Sequence, residues 1–455
     1  MMRNMHRWNS LLIVLGLVAL APARASGQPA LVIDNITVID GTGSPSVTGV
    51  SIVIDGGRFR AVGKNVDAPP GAERLDGSGK FAIPGLMDMH VHLRGGRAGS
   101  SPVDGLRALH GYLYSGVTSI YDAGNSPDFI FALRDQERSG EIVAPRIFAT
   151  GSVVTAPGGH GGRGAVTVED FARDRKKLDE HIARKPDILK ITQDEHGWGT
   201  RPLIRHMPVD LLQQVIRYYH EHGIRTTIHT SNELRAWDAI YAGIDTLAHP
   251  VIQAPVSERY LNMMGVKRIP QVSTLTIGDG YGRLVDHPEF LDEPLYRATL
   301  LPSAIERLRG ATRREWEERR WTQWMKVMTP VAQENLRLLN EAGGIVVLGT
   351  DQSLGPAVHR ELELLVGGGI SPLDAIRMAT LHGAIFLGME DELGTIQVGK
   401  RADLVLLDAD PTVDIDNAKK IHMVIKGGAV IDRSKLALPV NGVTQWFSNL
   451  GAGEQ

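Results

Sequence analysis

Six polar residues sit where the surrounding pattern is apolar, and all six are types that bind metal ions. His90 and His92 lie two apart in Met87-Asp88-Met89-His90-Val91-His92-Leu93. On a β-strand that spacing turns both imidazoles to one face. Lys190 interrupts Asp187-Ile188-Leu189-Lys190-Ile191-Thr192, where a charged amine among apolar neighbours is costly unless it is paired. His229 stands in Ile228-His229-Thr230, His249 in Leu247-Ala248-His249-Pro250, and Asp351 closes Val346-Val347-Leu348-Gly349-Thr350-Asp351. A lone histidine at a strand end is more often a hydrogen-bonded core residue than a ligand. Two on one face, with Asp88 alongside and Gly85 just before, point to metal. Lys190 has two readings. It forms an ordinary strand-end ion pair, or it has taken up carbon dioxide as a carbamate, a bidentate anion able to bridge two metal ions.

Composition narrows the chemistry further. None of the 455 residues is Cys, which excludes disulfides, thiolate zinc sites, iron–sulfur clusters and a cysteine nucleophile. Metal binding is left to His, carboxylate or an altered Lys. The balance of 49 Lys+Arg against 52 Asp+Glu, a formal net charge of −3, offers no broad basic field for nucleic acid and is not an acidic disordered composition. The chain is long enough to bury a large core.

The elements that must position these residues follow from the pattern around them. Short apolar runs recur at residues 81–93, 117–123, 146–154, 188–192, 225–230, 246–249, 271–275 and 345–351. Helix-like segments such as 211–222 and 232–242 lie between them. Buried parallel strands read as continuous apolar runs, and each crossover needs a helix. Eight strands over about 270 residues is the count and length of an α/β TIM (β/α)8 barrel; a doubly wound sheet is the structural alternative. The polar residues favour the barrel, because they close the strands at the end where barrel chemistry is expected. The flanks instead carry short strands that read as a small antiparallel sheet with Gly turns, at Asp55-Gly56-Gly57 and Lys426-Gly427-Gly428. Neither flank buries much alone, so the two are expected to pair.

The expected organisation is a signal peptide over 1–25, a composite β-sandwich domain from 28–80 and 386–432, a barrel over 81–385, and a tail over 433–455. Arg3 and Arg7 precede the apolar run 11–21, and Ala23-Arg24-Ala25 offers a small-x-small cleavage site before Ser26. Such a run is too short to span ~30 Å of hydrocarbon. The mature protein is therefore expected in the periplasm or outside the cell, with no membrane partner. Losing Arg3, Arg7 and Arg24 leaves 46 basic against 52 acidic residues.

Taken together, these motifs resemble the amidohydrolase superfamily, in its two-metal, lysine-bridged branch. The resemblance rests on Pro84-Gly85-Leu86-Met87-Asp88-Met89-His90-Val91-His92, the strand around Lys190, His229, His249 and Gly349-Thr350-Asp351. The C-terminal signature from Leu393-Gly394-Thr395-Ile396 to Gly399-Lys400-Arg401-Ala402-Asp403-Leu404 adds to it. Gly116-Val117-Thr118-Ser119, Pro145-Arg146, Gly158-Gly159-His160-Gly161 and Glu361-Leu362-Glu363-Leu364 resemble the imidazolonepropionase-like and prolidase-like subgroup. The likeness covers roughly residues 30–432. Two followers depart from relatives: Thr230-Ser231-Asn232 after His229 and Pro250 after His249.

Position by position, the resemblance implies that His90, His92 and Asp351 hold one divalent metal ion, with Zn²⁺ the best match. His229 and His249 would hold a second, and N6-carboxylated Lys190 would bridge both. It implies hydrolysis of the amide bond of a dipeptide or N-acyl amino acid by a metal-bridging hydroxide, with Asp351 carrying the proton to the leaving amine. The same site could act on an ester, lactone or phosphotriester. A non-catalytic binding protein is opposed by the presence of all six ligands. His160, in a Gly-rich loop, together with Arg163 and Trp198, are the candidates for substrate contact. Trp316, Trp321 and Trp324 mark either a lid or a helix face packed on the barrel. The expected partner is a small amide-bearing molecule and not nucleic acid, and a homo-oligomer is compatible with the sequence.

Overall fold

The computed structural model of the chain describes residues 29–93, 102–161, 164–194 and 203–438. The segment expected to be a signal peptide and the tail beyond residue 438 lie outside the described residues. In the N-terminal flank, β1 (Leu31–Val38), β2 (Val47–Asp55) and β3 (Arg58–Gly63) pair antiparallel in sequence, the last two around the Gly56-Gly57 turn. β4 (Glu73–Asp76) and β5 (Phe81–Pro84) then pair with β1 in the parallel sense. The sheet is thus mixed, not antiparallel as its composition suggested. Residues 64–72 carry the chain back to the start of β1 instead of reversing it in a tight turn.

The run read as one strand over 81–93 is two strands in two sheets. Pro84 has no N–H for a ladder, and after Gly85 the chain enters β6 (Leu86–Val91) in a different sheet. Gly85 fits there because it lacks a side chain: a Cβ would lie 2.2 Å from the Thr118 hydroxyl. Its N–H donates to Asp403 O at 2.9 Å, tying the junction to the C-terminal flank.

β6, β7 (Val117–Asp122) and β8 (Arg146–Ala149) form a three-stranded parallel sheet. β9 (Val154–Thr155), β10 (Val166–Thr167), β11 (Ile188–Thr192), β12 (Arg225–His229), β13 (Thr246–Leu247), β14 (Pro270–Val272) and β15 (Ile345–Val347) form a seven-stranded one, ordered β10-β9-β11-β12-β13-β14-β15. Helices such as Pro127–Ser139, Phe171–Ala183 and Val209–Glu221 connect the strands. Their apolar faces bury Leu133, Leu178 and Leu212 in the main core. The two parallel sheets are joined at both edges by backbone hydrogen bonds. Asp187 N donates to Ala149 O at 2.9 Å on one side, and Met89 N to Leu348 O at 3.1 Å on the other. A second cluster, with Met87, Tyr121, Ile188, Ile345 and Phe386, fills the region around the starts of β6, β11 and β15.

The C-terminal flank adds β16 (Leu404–Leu407), β17 (Ile421–Lys426) and β18 (Ala429–Val430). β16 pairs antiparallel with β5, so the two flanks make one eight-stranded sheet. Its opposite ends approach one another, with Ala402 N on Gly57 O at 2.9 Å and Phe59 N on Lys400 O at 3.0 Å. The sheet thereby rolls over its own core of Ile33, Ile36, Ile52, Ile54, Leu404, Leu406 and Ile425.

The tryptophan segment is a packed helix face. Trp316 is fully buried and stacks on Tyr281 with ring centroids 4.3 Å apart, and Trp324 is exposed on helix Arg320–Glu341. Among the described residues no helix is long and apolar enough to cross a membrane. Gly85→Ala is expected to lower stability by ~1–3 kcal/mol through overlap with buried Thr118. Urea denaturation would read this, and adding Thr118→Ala should recover part of the loss.

Candidate metal centre

The strands deliver the six residues to one place because each lies near or just beyond the end of its strand, on the same side of the sheets. Lys190 is in β11, two residues before Thr192, which is in register with His229 at the end of β12. His90 is in β6 and His92 directly follows it; His249 and Asp351 lie just beyond β13 and β15. His90, Lys190, His229 and His249 are buried, while His92 is about one-third open.

Three of the imidazoles are oriented by their Nδ1 atoms. His90 Nδ1 lies 2.9 Å from Ala248 O and His92 Nδ1 2.9 Å from Gly124 O. A carbonyl only accepts, so these Nδ1 atoms carry the proton and Nε2 keeps its lone pair. His249 Nδ1 lies 3.0 Å from the Thr274 hydroxyl. The Nε2 atoms of His90 and His92 then face Asp351 Oδ1 at 3.7 and 3.2 Å. His90 Nε2 is also 3.1 Å from Lys190 Nζ. Ligand atoms of His90, His249 and Asp351 all fall within 4.8 Å of one another. Lone pairs converging on a carboxylate repel unless a cation or a proton lies between them, and this donor set fits a divalent metal.

His229 is oriented differently. Its Nε2 is 3.2 Å from Asp194 Oδ2, and Ser231 Oγ donates to Asp194 Oδ1 at 3.0 Å. Gln253 Nε2 in turn donates to Ser231 Oγ at 2.9 Å. His229 Nε2 thus pairs with a carboxylate, and ligand atoms of His160, Asp194 and His229 lie within 4.8 Å of one another. Its ring packs against His249 at 4.3 Å and is covered by His160, stacked at 4.4 Å. The His160 carbonyl is anchored by the Thr192 hydroxyl at 2.7 Å.

Burial sets the electrostatics. It lowers the Lys190 amine to about 7, although Asp351 works the other way. Burial first, then Lys190, drives His90 well below the usual imidazole range, and burial with His229 does the same to His249. At Asp351 burial favours the neutral acid, but His90, His92 and Lys190 outweigh it and hold the carboxyl well below the usual carboxylate range. Asp88 is pushed up to about 8 by burial, against hydrogen bonds from Thr350 and His90 N.

His90, His92, Lys190, His229, His249 and Asp351 are therefore brought together, with His160 against them. Arg163 and Trp198 lie outside the described residues. The sequence reading did not single out Asp194 or Thr274. Asp194 follows β11 by two residues, so the rule that found its neighbours applied to it as well. For Thr274 nothing in the local pattern stood out.

Residues 81–431 match the family model described as the amidohydrolase family. The chain belongs to the amidohydrolase family. Members of that family are hydrolases acting on C–N bonds and are generally metal-dependent. This amidohydrolase is similar to the ochratoxinase of Aspergillus niger, 23% identical over 444 residues, covering 86% of this chain and 84% of that protein. It is 26% identical over 414 residues to the imidazolonepropionase of Vibrio cholerae serotype O1, covering 83% and 92%. Its fold matches a solved Xaa-Pro dipeptidase with methionine bound in the active site, at a TM-score of 0.72 and 22% identity, over 88% of this chain and 99% of that one.

The buried amine generates a pH-dependent prediction for the metal-free amidohydrolase. The Lys190 amine titrates near 7 when folded and near 10.4 when unfolded. Unfolding therefore takes up a proton between these values, and stability rises with pH across that window. Lys190→Met should stabilise chelator-treated protein by on the order of 3–5 kcal/mol at pH 7 and about half that at pH 9. Urea midpoints at the two pH values test it; an equal gain at both contradicts it.

Proposed function

We propose that this amidohydrolase is an exported two-metal enzyme that hydrolyses the amide bond of a dipeptide or N-acyl amino acid. The observation that carries the reading is the convergence of imidazole lone pairs and the Asp351 carboxylate around a buried, weakly basic Lys190. His90, His92 and Asp351 would hold one ion, and His229 and His249 the second. The donors contain no sulfur and suit Zn²⁺. An amine near 7 is about half neutral at pH 7, and the neutral form has the lone pair that adds carbon dioxide. The N–C bond forms, a proton leaves, and the carbamate of Lys190 would bridge the ions. We read β6, β7, β8 and β11 to β15, joined at both edges, as a (β/α)8 barrel, and the rolled sheet as a second domain built from the two flanks.

When bound, the ions supply Lewis acidity toward the carbonyl and make water acidic enough to attack near neutral pH. Asp351, ionised at that pH, takes the proton from the attacking water and delivers it to the leaving nitrogen. His160, stacked over His229, is the first candidate to donate to a substrate oxygen, and Arg163 and Trp198 are the further candidates for substrate contact. The dipeptidase among the structural relatives is the reason to begin with dipeptides. The basic start, short apolar run and Ala-x-Ala site support export to the periplasm or cell exterior.

Metal analysis of the purified protein, joined to a panel of dipeptides, N-acyl amino acids, esters, lactones and phosphotriesters, tests the reading. Two metal equivalents and amide hydrolysis are expected. Asp351→Asn should lower kcat by ~10²–10⁴-fold. Full activity in Lys190→Ala, or in a metal-free preparation, would sink the mechanism, and turnover of phosphotriesters alone would move the substrate class. Asp194→Asn is expected to weaken metal affinity by ~10–100-fold, read by competition with a chromophoric chelator.

A further inference from the structure

We infer that Thr274 is a positioning residue that fixes the ring of His249, and that Glu361 is the clamp that keeps Thr274 in place. The inference rests on the metal-centre reading above and extends it to residues one step removed from the ions.

Thr274 is a β-branched residue with φ +33 and ψ 39, in the left-handed region, between β14 and helix Leu275–Asp286. Such a residue is rarely found there, because its branched Cβ crowds the backbone. It is held by its surroundings. Its own N–H donates to Gly349 O at 3.0 Å, and Ser273 N to Val347 O at 2.9 Å, pinning the turn to the strand that leads to Asp351. The rest of the turn is held by the fully buried carboxylate of Glu361, from helix Ala357–Gly367. Ser273 Oγ donates to Oε1 at 2.5 Å and Leu275 N at 2.8 Å; Thr276 N donates to Oε2 at 2.7 Å, joined by the Thr276 hydroxyl.

The pattern of those bonds separates two roles. Glu361 takes donors from residues 273, 275 and 276 and none from 274. The hydroxyl of Thr274 instead lies 3.0 Å from His249 Nδ1. A turn needing only to fold would be served better by glycine, which adopts positive φ without steric cost. A strained side chain that persists under over-determined surroundings marks a functional constraint, and here its hydroxyl reaches a metal-ligand imidazole. The hydrogen bond between the hydroxyl and Nδ1 fixes the orientation of the ring that the metal-centre reading makes a ligand.

The experiment uses the full chain stripped with chelator and titrated with Zn²⁺ against a chromophoric competitor, beside thermal melts of the metal-free proteins. Thr274→Ser keeps the hydroxyl and should bind Zn²⁺ within about threefold of wild type. Thr274→Val and Thr274→Gly should bind ~10–100-fold more weakly, while Thr274→Gly melts at or above the wild-type temperature because its backbone strain is relieved. Weaker metal binding with equal or greater fold stability is the signature of positioning. Wild-type affinity in both Thr274→Gly and Thr274→Val overturns the inference. So does a fall in affinity and melting temperature shared equally by Ser, Val and Gly variants, which is what a purely structural role produces. A wild-type chain that takes up no Zn²⁺ overturns the metal-centre reading and this inference with it, and is told apart because no variant is needed to see it.

Discussion

The constraint on which the rest of the structure depends is electrostatic. Imidazole nitrogens, a carboxylate and an amine are held inside an apolar fold, with their lone pairs turned toward one another. Left in that state, each polar group loses its water and gains mutual repulsion. The fold offsets part of this by keeping the groups in their less demanding forms, with the Lys190 amine near neutrality and His90 and His249 uncharged. Asp351 keeps its charge, because His90, His92 and Lys190 are aimed at it. The fit of this donor set to a divalent cation follows from the same arrangement.

Much of the surrounding structure serves to keep those lone pairs aimed. Ala248 O, Gly124 O and the Thr274 hydroxyl fix three rings through Nδ1, and Asp194 fixes the fourth through Nε2. Asp351 itself sits at φ +54, a conformation that a non-glycine residue adopts only when its neighbours impose it. Asp88 supplies part of that imposition by accepting from both the N–H and the hydroxyl of Thr350. The backbone hydrogen bond from Asp351 N to His90 O, at 2.7 Å, does the rest, and it also joins the edges of the two parallel sheets. The site and the closure of the sheets at that edge are thus one set of contacts.

The same physics explains which errors the sequence invited. The run over 81–93 is uniformly apolar, so periodicity gave no sign of its division at Gly85; the reason is the close approach of Thr118, a contact from another strand. The N-terminal flank read as antiparallel because alternation reports one buried face and not strand direction. The tryptophan segment fits either a lid or a packed face by its sequence, and the stacking of Tyr281 on Trp316 makes it a packed face.

By itself the sequence determined the residue types at the strand ends, the family they belong to and the six residues that meet. Those follow from local facts: a two-residue spacing, a polar residue closing an apolar run, and the absence of cysteine. Only the tertiary structure decided which nitrogen of an imidazole is engaged by a neighbour, since that depends on a partner far away in the chain, such as Ala248 for His90 or Asp194 for His229. It also decided the part played by Thr274 and Glu361, because the carboxylate reaches the turn from a helix far along the chain, 88 positions beyond Ser273. An ordinary threonine becomes significant only when the turn held by a buried carboxylate brings its hydroxyl to His249.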